Sequence, residues 1–164
     1  MATAEKESLQ RRLGGQREHV LGILDGLSDE HLRRPVLPSG WSCLGMVQHL
    51  TLADEYYWFG CVVAGHAQDR LPTEPDREWV VGPELSAADV FHRYRDEAAR
   101  SDAIIASTDL DAAPEWTDPR WKSWPVTFPD LRTIMLHVLV ETSVHAGHLD
   151  AIRELIDGRQ WIVL

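Results

Sequence analysis

The sequence predicts an all-α protein, a four-helix bundle with long loops between its helices. Three observations predict it. Four long stretches carry apolar side chains at threes and fours; helix-start signals precede three of them; no run alternates convincingly with the period of a strand. A chain of 164 residues is long enough to bury one substantial core, so residues 1–164 read as a single domain.

The first stretch runs from about Ala4 to Leu27, where Leu9, Leu13, Val20, Ile23, Leu24 and Leu27 form a stripe and Asp25-Gly26 weakens the end. The second follows Pro38-Ser39-Gly40-Trp41, takes Ser42 as its N-cap and runs to about Gly65. The third opens on Ser86-Ala-Ala-Asp89, a capping-box pattern, and carries Val90, Phe91, Tyr94, Ala98 and Ile105 inward. The fourth opens at Thr127-Phe-Pro-Asp130, with Pro129 in the first turn, and Gly158 stops it. Two connections, Ala67 to Leu85 and Ser107 to Val126, are rich in Pro, Asp and Trp. Val80-Val81 and Trp161-Ile-Val-Leu164 are candidates for short extended pieces that leave the class unchanged.

A net charge of −10 argues against nucleic-acid backbones and anionic membranes as partners, since both require a cationic face. Glu5, Lys6 and Glu7 occupy the place of a signal peptide's apolar region, and no apolar run is long enough to span a bilayer. A cytoplasmic protein is expected. Cys43 and Cys61 share one predicted helix and would lie roughly 27 Å apart along it, too far for a disulfide, so they read as reduced packing residues.

The most informative stretch is Glu141-Thr-Ser-Val-His145-Ala-Gly-His148, which puts ionisable groups where the fourth helix should be apolar. At roughly 100° per residue, Ile134, Val138, Ile152 and Ile156 fall within about 40° of one another. Glu141 and His145 project into that sector, and His137 and His148 sit beside it. Burying a carboxylate with an imidazole costs several kcal/mol without compensation, and a metal ion is the commonest compensation for such a set. One helix cannot surround an ion. The second helix offers His49, on a face with Met46, Ala53 and Tyr56. His49, Glu141 and His145 make three protein ligands, the number expected of a catalytic zinc with an open position. His148 is the rival third ligand, or else orients a ligand from outside. Two imidazoles and a carboxylate also suit Ni2+, Fe2+ or Co2+. The plainer alternative is that each histidine is a hydrogen-bonded core residue, His137 above all. His19, His31, His66 and His92 fall on polar faces or loop edges and are expected in solvent.

A histidine midway along the second helix, after a Gly-Trp-Ser lead-in, together with His137-x3-Glu141-Thr-x2-His145-Ala-Gly-His148-x-Asp150-x2-Arg153-Glu154, resembles the DinB-like metalloprotein superfamily, in its actinobacterial branch of mycothiol-dependent S-transferases. The superfamily's ligand set is one histidine from the second helix and a His-x3-His pair from the last. Carried over, this implies His49, Glu141 and His145, with a glutamate in place of the pair's first histidine. The resemblance implies a zinc-dependent thiol S-transferase with mycothiol as co-substrate, in which a metal-bound thiolate attacks an electrophilic small molecule. No catalytic residue beyond the metal site is implied, and a homodimer is compatible. The similar maleylpyruvate isomerase shares the one-Glu, two-His set but needs a further domain with a catalytic arginine, so isomerisation is not expected.

The loop Pro114 to Trp124 offers Arg120, Trp121 and Trp124 to wall the site, the tryptophans for stacking on sugar rings and Arg120 for hydroxyls or a carboxylate. The same tryptophans would equally cover the end of the bundle or a dimer interface. Three further readings remain open here: a non-catalytic metal-binding stress protein, a zinc-hydroxide hydrolase with Glu141 or His148 as base, and a metal-free helical binder of small molecules.

Overall fold

The computed structural model describes residues 2–74 and 76–161. Among them every regular element is helical: α1 (Ala2–Leu24), α2 (Asp29–Arg33), α3 (Cys43–His49) running on into a π-helical segment (Leu50–Val63), α4 (Ala87–Ser107) and α5 (Leu131–Asp157), with 3₁₀ turns at Arg77–Trp79 and Pro119–Ser123. The all-α class stands. Val80-Val81 forms no strand; of the other extended candidate, Ile162 to Leu164 lie outside the described residues.

Local chemistry sets most helix ends. Ser42 Oγ accepts the Gly45 N–H at 3.0 Å and starts α3, and Ser86 with Asp89 closes a reciprocal capping box on α4. The sequence did not flag α2, a single short helix started by Ser28 Oγ on the His31 N–H. At α5 the Asp130 carboxylate accepts the Thr133 N–H at 2.8 Å, so the helix begins at Leu131. Pro129 therefore lies ahead of the cap and not in the first turn. Gly158, at φ +78°, ends α5 in the left-handed conformation that glycine adopts without strain.

The long second helix changes winding at His49. From Leu50 onward its hydrogen bonds reach back five residues, as in Ala64 N–H to Phe59 O at 3.1 Å. Except for Leu52 and Ala53, all of Leu50–Val63 is buried, which makes this the central helix, apolar nearly all round. It lies between α4 and α5, and α1 runs along α5. The wider winding also corrects the expected face. His49 shares its side of the helix with Ala53, Asp54, Tyr57 and Trp58, whereas Tyr56 turns away to the Ala67 carbonyl and Asp69.

Two arginines tie the helices together. Arg17 of α1 holds Glu55 with two 2.7 Å bonds and Asp102 of α4 with a third. Arg153 of α5 donates at 2.8 Å to the carbonyls of Ile23 and Asp25 at the end of α1, where helix carbonyls lack partners. His19 is also a correction: it is buried, hydrogen-bonded to Asp150 at 2.7 Å and stacked on Trp161. The polar face on which it sits is the one α1 turns to α5. Both cysteines are buried and free.

Candidate metal centre

His49 closes α3 and stands at the change of winding. Its ring stacks on Trp79, centroids 3.7 Å apart and 13° from parallel. Gly45, one turn earlier, makes that stack possible, because a Cβ there would collide with the Trp79 carbonyl oxygen. Across from it, His145 of α5 meets His49 edge to face at 5.2 Å. His148 lies 5.8 Å beyond His145, exposed, and tilted against Trp41 at 6.1 Å.

Both imidazoles are held neutral. Burial, and then His145 nearby, pushes His49 down to about 3. Burial lowers His145 as well, against the pull of Glu141. Nδ1 of each ring is buried and, among the described residues, has no hydrogen-bond partner; the carboxylate nearest to His49, Glu78, is 4.0 Å away. An unpaired buried ring nitrogen costs free energy unless something takes up its lone pair.

Glu141 lies on the wall of a cleft of about 740 Å³ that His49 also lines, together with Asp54, His137, Arg120 and Trp124. His145 sits behind His49 and does not reach this wall. Asp54 is 3% exposed. Burial, Glu55 and Glu141 all push its carboxyl well above the ordinary range, which favours the protonated form. Thr142 Oγ1 stands 3.4 Å from it, with the hydroxyl proton directed to the Val138 carbonyl. His137 packs against Trp58 at 4.6 Å and Phe128 at 5.0 Å.

At the rim, Arg120 is fixed by Asp118, which accepts from its Nε at 2.8 Å and from the Tyr57 hydroxyl at 2.8 Å. These donors hold Asp118 down to about 2. Trp124 is 42% exposed beside it. Trp121 departs from the expected role: it is turned into the core and stacked on Trp58 at 5.2 Å, so its flat face is already covered. Sequence reasoning missed Asp54 and Trp79. An Asp-Glu pair inside the apolar run Leu50–Val63 was the available signal for Asp54; Trp79, in a loop, gave none.

The donors fit a divalent metal in kind: two neutral half-buried imidazoles, each with a buried Nδ1 unpartnered among the described residues, and a carboxylate on the adjoining cleft wall. The third donor stands apart, for among the described residues no three His, Cys, Asp or Glu side chains are gathered closely enough to hold an ion.

A family model described as mycothiol-S-transferase matches residues 8–158 of this chain. No curated protein and no solved structure matches it.

Proposed function

The chain belongs to the mycothiol-S-transferase family, and we propose that it joins the sulfur of mycothiol to an electrophilic small molecule in the cleft between the central helix and α5. The observation that carries this reading is the pair of half-buried imidazoles, His49 and His145, each with a buried Nδ1 that has no partner among the described residues. His49, His145 and Glu141 would hold a divalent metal, zinc first and Ni2+ or Fe2+ as alternatives, with His148 as the rival to Glu141. Such an ion lowers the pKa of a bound thiol and makes a thiolate available at neutral pH.

The remaining work falls to the chain itself. Trp79 clamps the His49 ring in one orientation, and burial keeps that ring unprotonated with its lone pair available. His137, fixed between Trp58 and Phe128, closes the end of the cleft and excludes water. Asp54 holds a proton at its carboxyl group beside Glu141 and keeps a second negative charge out of the interior. At the mouth, Arg120 and Trp124 would meet mycothiol, the guanidinium its hydroxyls and the indole face its sugar. No helix among the described residues is long and apolar enough to cross a membrane.

The test uses protein purified without an affinity tag. Elemental analysis is expected to find about one divalent metal per chain, the count for a site of this size. Consumption of 1-chloro-2,4-dinitrobenzene is expected to depend on mycothiol and to be lost in His49→Ala. If His49→Ala consumes the electrophile at the wild-type rate, the metal reading is wrong; if turnover proceeds without thiol, the protein is a hydrolase.

A further inference from the structure

Next to the cleft, and sharing Leu52 and Pro72 with it, a second cavity of about 550 Å³ opens between the central helix, loop residues that include Arg70, Arg77 and Leu85, and α4. Four arginines line it: Arg70, Arg77, Arg93 and Arg100. This is unexpected in a chain whose 26 acidic residues outnumber its 16 basic ones. The buried carboxylate of Glu97 anchors two of them, Arg70 at 2.6 Å and Arg100 at 2.8 Å, so one negative charge serves two guanidiniums. Among the described residues Arg77 and Arg93 stand in no ion pair. Of the two carboxylates in the lining, Asp96 faces His92 at 3.4 Å and Glu84 folds back over Gly82.

The wall is pinned as well as charged. Gln48 donates to the carbonyls of Glu78 and Val80 at 3.0 and 2.9 Å, and Arg33 donates to those of Gly82 and Leu85. The floor between the arginines is apolar, from Leu52, Leu85 and Val90. Guanidinium forks match carboxylate and phosphate oxygens in pairs, and the volume falls in the range of small-molecule sites. We propose that this cavity is a second ligand site, which takes a small organic anion, a carboxylate or phosphate monoester borne on a compact apolar body.

This proposal does not rest on the metal or on thiol transfer, and its test reads binding alone. Phenyl phosphate, benzoate and neutral benzamide are titrated calorimetrically into the full chain. Saturable binding of at least one anion is expected, and the tighter of the two identifies the headgroup. Arg77→Gln/Arg93→Gln should weaken it about tenfold or more, the scale of a lost charge-assisted pair. Both side chains are exposed, so the variant should fold. Arg11→Gln/Arg12→Gln on α1 removes the same charge elsewhere and should leave binding intact. The proposal is overturned if neither anion saturates, if benzamide binds equally well, or if the α1 pair weakens binding as much as the cavity pair.

Discussion

At Asp54 and Arg17 the interior holds charge in two different ways. Arg17 grips both oxygens of Glu55, and that attraction raises the Arg17 pKa despite burial. Removing one partner of a buried pair leaves the other uncompensated, so Arg17→Met is expected to cost about 3–5 kcal/mol by urea denaturation. Arg17→Met/Glu55→Leu should recover much of that; no recovery would mean that the pair is not coupled. Asp54 has no cation and keeps its proton instead. Its folded pKa is raised, so its contribution to stability is full below the ordinary carboxyl value of 3.8 and is lost as pH rises toward the folded value. In metal-free protein, Asp54→Asn should therefore match wild type near pH 4, within about half a kcal/mol, and exceed it at pH 8. A constant difference across that range would refute the protonated state. The signs of His49, Glu141 and His145 were legible in sequence because inward-facing ionisable groups violate the helix's own apolar period. Asp54 left a fainter sign, an Asp-Glu pair in an apolar run, because α winding would have turned its face away from His49.

At the scale of elements, what the sequence made legible was where helices start: Ser42, Ser86 and Asp130 all cap through local side-chain bonds that depend on a few neighbouring residues. What it hid was the winding between the caps. Fourteen residues of π-helix arise from tertiary demand on a helix buried on all sides, which no periodicity records, and they moved Tyr56 out of the cleft and Asp54 into it. The Arg77–Trp79 turn was hidden for a related reason, being a loop whose position depends on a distant glycine. Gly45 gives an expectation specific to that contact. Gly45→Ala should push the Trp79 carbonyl away from α3 and cost about 1–3 kcal/mol, the usual penalty for overpacking. It should also release the His49 ring from its stack, so metal affinity should fall with stability. Retained affinity in a destabilised Gly45→Ala protein would show that Trp79 does not orient His49.

Across the whole molecule, the metal cleft draws on every long helix except α1 and α4, and those two hold the central helix in place through Arg17. Holding the site and holding the fold are thus linked, since an ion bridging His49 and His145 would join the central helix to α5 much as Arg17 joins it to α1. Anything that binds the native state alone stabilises it by mass action, about 2.7 kcal/mol at a hundredfold excess over Kd, which for a chain of this size is about 5–10 °C in Tm. Chelator-treated protein is therefore expected to gain that increment on titration with Zn2+, read by calorimetry. His49→Ala and His145→Ala should abolish the gain, because each removes an imidazole whose buried Nδ1 has no partner among the described residues. The third position is decided by the same measurement. Glu141 lines the cleft and His148 stands exposed against Trp41, so Glu141→Gln should lose most of the zinc-induced shift and His148→Ala little of it. The reverse ranking would make His148 the ligand and leave Glu141 as a neighbour that adds, after burial and Glu55, to the upward push on Asp54.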